Sequence, residues 1–242
     1  MIGAVKRRMQ RSQILVAIVR SAHSTRIRRK GMGARRPIIA AYLAASGPKK
    51  LQLGAGGNAL EGWLSSDVFP QPYEIFVDVT RRLPFSDRSF SYVFSEHQIE
   101  HIFYPEGVFM LRECFRVLKP GGVLRIVTPD LERIVGLYAP EKSETQQRYI
   151  RFVTDSFIPE TSDYGACFVV NCDVRNWDHK FIYDFATLAQ EMHRAGFVDV
   201  TRHAAGESDD AALRGIEAHG AVIGNEEMNA YETMAVEARR PA

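Results

Sequence analysis

Residues 51–58 read LQLGAGGN, an apolar strand running straight into a glycine-rich turn. In an open α/β sheet, ligands bind beyond the carboxyl ends of the strands. Glycines at such a turn let the backbone reverse tightly and come close to the ligand. Gly54, Gly56 and Ala59 also satisfy G-x-G-x-x-A, a permitted form of the dinucleotide fingerprint. That fingerprint needs a full helix after the glycines and an acidic residue about 20 positions on. Here only GNALEG separates the turn from the next strand, and Asp67 stands thirteen residues after Gly54. The helix that would grip a pyrophosphate is reduced to a turn, and a ligand without phosphate loses least by that.

Working outward, strand and turn signals alternate. Strands are expected at Lys50–Leu53, Trp63–Val68, Glu74–Val79, Phe90–Ser95 and Val123–Val127. A helix carrying Phe109, Leu111, Cys114 and Val117 on its apolar face follows the fourth strand and stops at Lys119-Pro120-Gly121-Gly122. Asp184–Gly196 is a second helix, capped by Asp and ended by Gly. Phe197–His203 and Ala230–Ala238 are expected to form a terminal strand pair. Strands joined by helical crossovers predict an α/β fold with a mostly parallel sheet and right-handed connections. The organisation expected is a basic arm over residues 1–33 and a domain over 34–242, with residues 140–180 as an insertion that lids a substrate site.

The 242 residues, 45% of them apolar, suit one ordinary domain and a short extension. Cys114, Cys167 and Cys172 form no C-x-x-C pair, which fits a reducing compartment better than a disulfide framework. No run reaches the roughly 18 apolar residues of a membrane span. The run Ile14–Val19 (ILVAIV) is shorter than a signal-peptide core. A cytoplasmic protein is expected. The net charge of +2 hides an asymmetry: residues 1–50 hold thirteen Lys/Arg and no Asp/Glu, leaving the rest at −11. Residues 4–20 place Lys6, Arg7, Arg8 and Arg11 among Val5, Met9 and Val16 at helical spacing. A basic amphipathic helix of that kind reads as binding an anionic membrane surface. The arm has no aromatic residue between 1 and 41 for stacking bases, which argues against nucleic acid as its partner.

The order LQLGAGGN, VDVTRRLPFSDRSFSYVFSEH and LRECFRVLKPGGVLRIVTPD, over residues 50–130, resembles the core of class I S-adenosylmethionine-dependent methyltransferases. HKFIYDFATLAQEMHRAGFVDV continues the likeness more weakly. GWLSSD and EHxxEH are similar to bacterial members that accompany glycan and surface-polysaccharide biosynthesis. Ser91 departs from the family pattern, which has an acid after the phenylalanine. The resemblance implies a Rossmann-like seven-stranded sheet with S-adenosylmethionine as cofactor. It places Leu53, Gly54, Ala55 and Gly56 under the methionine half, Asp67 on the ribose hydroxyls, Asp78 and Val79 beside the adenine, and Glu96 near the sulfonium.

Ser95–His101 (SEHQIEH) is the most chemically loaded stretch. His97, Glu100 and His101 match H-x-x-E-H, an inverted zinc-protease motif, but nothing downstream supplies a third ligand from a separate helix. The Asn/Asp-Pro-Pro-aromatic sequence of enzymes that methylate base amines is absent. Methyl transfer to a hydroxyl needs the nucleophile held in line and gains from a base taking its proton. Imidazole titrates near neutrality and suits that role, so His97 is the expected base, oriented by Glu100 or His101. A second polar cluster, Asn176–Asp184, brings His179 as a further catalytic candidate, with Trp177 and Tyr183 as ring-binding groups. A metal is not expected; besides H-x-x-E-H, the set that could hold one is His97, His179 and Asp130. The function expected is O-methylation of a sugar or other polar small-molecule hydroxyl, such as one on a lipid-linked glycan at the inner membrane face. The alternatives are an RNA methyltransferase docked by its arm and an inactive binding module.

Overall fold

A computed structural model describes residues 31–242. Residues 31–44 are helical (α1). The segment 4–20 lies outside the described residues. Seven strands follow: β1 Lys50–Leu53, β2 Leu64–Asp67, β3 Ile75–Phe76, β4 Phe90–Glu96, β5 Leu118–Pro129, β6 Val198–His203 and β7 Thr233–Arg239. They form one sheet in the order β3-β2-β1-β4-β5-β7-β6. Pairs from β3 to β5 are parallel, while β7 runs antiparallel to both neighbours. This is the Rossmann-like sheet that the sequence predicts.

The order in which strands are added reverses between β1 and β4, with strands laid first to one side and then to the other. Such a switch point opens a crevice beyond the strand ends. One face of the sheet is covered by α1, α2 (Tyr104–Val117) and α6 (Phe185–Ala195), which bury Met110, Leu111, Cys114, Leu188 and Met192 with Leu51, Leu53 and Leu124. Phe109, expected on the apolar face of α2, is exposed; Met110 takes the buried position instead. Asp184 caps α6 by accepting the Thr187 N–H, and Gly196 ends it in a left-handed conformation, φ 106°, which glycine adopts freely.

Over the strand ends lies a helical cap. It contains α3 (Leu131–Val135), α4 (Glu144–Phe157) and α5 (Ala166–Arg175), and between β6 and β7 the short α7 (His219–Ile223) and α8 (Glu226–Glu232). The expected strand Ala230–Ala238 therefore begins only at Thr233, its first three residues being helical. The cap has its own core of Leu137, Tyr149, Ile150, Val153, Val169, Cys172 and Met228. The fully buried Arg125 of β5 ties it down, pairing with Glu237 of β7 and with Glu217 just before α7.

Candidate cofactor and catalytic site

The glycine turn leaves β1 with Gly54 at φ 68°, Gly56 at 57° and Gly57 at 92°, conformations that side chains with a Cβ rarely adopt. A Cβ on Gly54 would fall 2.3 Å from Gln98 Oε1, whereas one on Gly56 or Gly57 would meet nothing within 4 Å. The turn is thus pressed against the β4 side and open on the other. Two carboxylates hold it: Asp67 Oδ2 accepts the Gly56 N–H at 3.1 Å, and Glu74 Oε1 accepts the Gly57 N–H at 3.2 Å. Asp67, at the end of β2, also accepts the Phe69 N–H at 2.7 Å.

Gly54, Ala55 and Gly56 form one end of a cavity of about 340 Å³. Glu96 and His97 at the end of β4, His101 and His179 line it further in, with His219 and Glu232 from the last two helices. Much of its remaining wall is apolar, with Ile134, Phe152, Phe157, Trp177, Val222 and Ile223, alongside the polar Gln52, Asn58 and Asp173. Four of the six histidines among the described residues therefore face one space.

Of the residues implied as cofactor contacts, Gly54, Ala55, Gly56 and Glu96 line the cavity. Leu53 is buried in the sheet core beneath it. Asp67 sits at the rim through its bond to Gly56. Asp78 and Val79 do not line it. Asp78 closes a turn, with its carboxylate on the Thr80 hydroxyl at 2.6 Å and on Arg81 at 3.0 Å, and Val79 is in the core. Glu96 has both oxygens on the Ala218 and His219 N–H groups at 3.0–3.1 Å. Burial raises its pKa above the ordinary value, and those two backbone bonds oppose the rise.

His97 sits at φ 45°, a left-handed conformation unusual for a residue with a side chain and enriched at functional sites. Its N–H donates to Val127 O at 2.9 Å. Its Nδ1 lies 3.1 Å from Glu100 Oε1, and its ring stacks on His219 with centroids 3.7 Å apart. Burial pushes the His97 pKa down, but Glu100 beside it, with Glu232 and Glu96, leaves it raised. Burial likewise opposes ionisation of Glu100, and His97 and His101 overcome that to hold its pKa below the usual range. The two therefore form a buried ion pair. Because residues 99–101 make only a single 3₁₀ turn, His97 and His101 do not share a helix face as the zinc-protease motif requires.

His179 is held differently. Its Nδ1 donates to the Asp173 carbonyl at 2.5 Å, which fixes the tautomer and leaves Nε2 with its lone pair. Burial lowers its pKa below the ordinary value, so the ring is neutral at neutral pH. His101 packs against it edge to face, centroids 4.9 Å apart. Trp177, half-exposed, packs between His179 and Phe157. Tyr183, expected to touch a ring, is instead buried in the sheet core. Asp130 is not a partner of His97 and His179: it caps α3 and pairs with Arg202, away from the cavity wall.

Sequence reasoning does not reach Glu74, His219, Glu232, Tyr149 or Asp173. On the cavity floor, Tyr149 donates to Glu232 and lies 3.1 Å from Asp173. Burial, with Glu232 nearby, pushes the Asp173 carboxyl up to about 8. Glu74 opens an expected strand and the other four stand in helices outside the motifs, so only folding gathers them.

A methyltransferase-domain family model matches residues 58–126. The chain is 30% identical over 131 residues to the demethylmenaquinone methyltransferase of Listeria monocytogenes, an alignment covering 52% of this chain and 49% of that protein. Against the protein of the same name from a Geobacillus species it is 27% identical over 121 residues, covering 49% and 46%. The chain thus spans about half the length of the curated relatives it matches. Among solved structures, it is similar to an S-adenosylmethionine-dependent methyltransferase of Thermotoga maritima (14% identity, TM-score 0.46, 83% of this chain and 86% of that one). Another from Archaeoglobus fulgidus gives 16% identity and TM-score 0.45, covering 88% and 94%.

Proposed function

We propose that this chain, which belongs to the class I S-adenosylmethionine-dependent methyltransferases, methylates a hydroxyl on a ring compound with an apolar body, held in the cavity between the glycine turn and the helical cap. The observation that carries this reading is the cavity itself: the turn expected to hold the cofactor and a neutral, oriented histidine open into the same space.

The residues present fit the cofactor. The turn faces open space at Gly56 and Gly57, and Asp67 stands at its rim to accept from ribose hydroxyls, as a carboxylate does well. Gly54 to Gly56 would lie under the methionine half, with Glu96 beyond them. When bound, S-adenosylmethionine supplies a methyl group on a positively charged sulfur. His179 would then accept the proton of the acceptor hydroxyl at Nε2, with Asp173 O keeping the ring in the required tautomer. His97, held as the cationic partner of Glu100, is less suited to that role, so we assign the base to His179. His101 packs the base in place.

The apolar half of the wall decides between acceptor classes. Phe152, Phe157, Ile134, Val222 and Ile223 favour a phenol-like ring over a bare sugar, since aromatic walls bury apolar rings with favourable edge and offset contacts. The curated relatives, named for a quinone substrate, point the same way. Trp177 in the wall is the feature that favours the sugar hydroxyl expected from the sequence. Incubating the purified full chain with methyl-labelled cofactor and a panel of phenols and glycosides tests this. Label on the phenols is the expected result; label on glycosides alone would reverse the acceptor assignment.

The basic arm supports peripheral attachment at an anionic membrane. Each Lys/Arg near such a surface contributes about 1 kcal/mol, and residues 1–30 hold nine. Flotation with anionic vesicles should carry the full chain and leave a chain lacking residues 1–30 in the soluble fraction; equal flotation of both would remove the arm from the account.

A further inference from the structure

Three side chains from separate elements meet on one wall of the cavity: His97 after β4, His219 opening α7 and Glu232 closing α8. Their donor atoms lie within 4.8 Å of one another. The two imidazoles are stacked face to face, planes 21° apart, and the ring of His219 makes no hydrogen bond with any described residue. Each of the three is braced from behind. His97 Nδ1 faces Glu100 Oε1 at 3.1 Å, Glu232 accepts from the Tyr149 hydroxyl, and Glu96 pins the backbone N–H of His219 at 3.0 Å. Ligating histidines typically carry a carboxylate on their second nitrogen, as His97 does, and ligating carboxylates accept a hydrogen bond, as Glu232 does.

We infer that His97, His219 and Glu232 form a binding site for a divalent first-row transition ion of the zinc class. Two imidazoles and a carboxylate are the protein donors of one common type of catalytic zinc site, which leaves its fourth position open. Imidazole donors select such ions over magnesium and calcium. Here the open position faces the cavity, where an acceptor oxygen would replace water. His97 Nε2 is the donor on this ring: Nδ1 keeps its proton on Glu100, and the ion would displace the proton at Nε2. A neighbouring set, Glu100, His101 and His179, has its donors equally close. It is the weaker choice, because Glu100 already faces His97 with one oxygen and accepts the Thr128 hydroxyl with the other. Only His97 of the H-x-x-E-H sequence takes part; the other two ligands come from α7 and α8.

The test uses the full chain, stripped with a chelator and titrated with Co²⁺, read by its visible d–d absorption, without cofactor or acceptor. Its outcome is therefore separate from the methyl-transfer reading. One equivalent of Co²⁺ should bind the wild type and be displaced by Zn²⁺, and Zn²⁺ should raise the melting temperature. His219→Ala and Glu232→Gln should each weaken binding by at least about 10-fold, the low end of what losing even a bracing partner costs. Glu232→Gln, which keeps shape and the bond to Tyr149, carries the test if His219→Ala does not fold. His101→Ala should bind as the wild type does. No Co²⁺ or Zn²⁺ bound by the wild type, unchanged binding in Glu232→Gln, or loss of binding in His101→Ala would each overturn the assignment.

Discussion

Among single residues, His179 and His97 show how two identical side chains come to differ. His179 is neutral because burial disfavours its charged form, and its tautomer is set by one carbonyl. His97 is buried as well, but Glu100 beside it raises its pKa. A base must be deprotonated to act, so kcat/KM should fall as pH drops through the His179 pKa, below the ordinary value of about 6.5, and level off above it. His179→Ala should lose about 10²–10⁴-fold in kcat and lose that acid limb, while still binding cofactor in a calorimeter. An unchanged pH profile in the variant would remove the assignment. The sequence makes the residue types of this site legible, since SEHQIEH and NWDHK stand out by composition. Which histidine is neutral is not legible, because it depends on groups contributed by α5, β5 and α8.

At the scale of elements, the family's LPFSD and RECFRV segments are tied by one ion pair and its bonds. Glu113 of α2 accepts the Leu83 N–H at 2.7 Å and pairs with Arg116 at 2.6 Å. Arg116 in turn donates to Phe85 O and Leu83 O at 2.8 and 3.1 Å and to Asp87 at 2.8 Å. Burial opposes ionisation of Glu113, but Arg116 and the Leu83 N–H prevail and leave its pKa lowered. A lowered pKa contributes stability that is complete above the unfolded-chain value of about 4.3 and is lost as pH falls through the lower folded value. Glu113→Gln should therefore cost about 1–3 kcal/mol at neutral pH and flatten the acid limb of the stability curve in urea unfolding. An equal loss at pH 7 and pH 3 would contradict this. Strands β1 and β4 and helix α6 were legible because their patterns are local: an apolar run, a glycine turn, an Asp cap and a Gly stop. The cap helices α7 and α8 were not, since EAHGAVIGNEEMNAYE has short, weakly periodic segments held by tertiary contacts. β3 shrank to Ile75–Phe76 because Val77 and Val79, though apolar, pack in the core from irregular backbone.

Taken whole, the molecule is a sheet that presents its strand ends to a cap, and the cavity exists only because both are in register. Arg125 joins them by pairing with Glu237 on the sheet and Glu217 on the segment leading to α7. The same segment is pinned again by Glu96 at the end of β4. The segment that carries His219 is thereby fixed from the sheet. The cofactor end depends on Asp67, which shapes the glycine turn by accepting the Gly56 N–H and stands at its rim. Calorimetric titration of S-adenosylmethionine into the wild type and into Asp67→Ala is the most direct test of this account. Saturable binding to the wild type, weakened by at least about 10-fold (1.4 kcal/mol) in the variant, is the result predicted. No binding to the wild type, or equal binding to both, would contradict it.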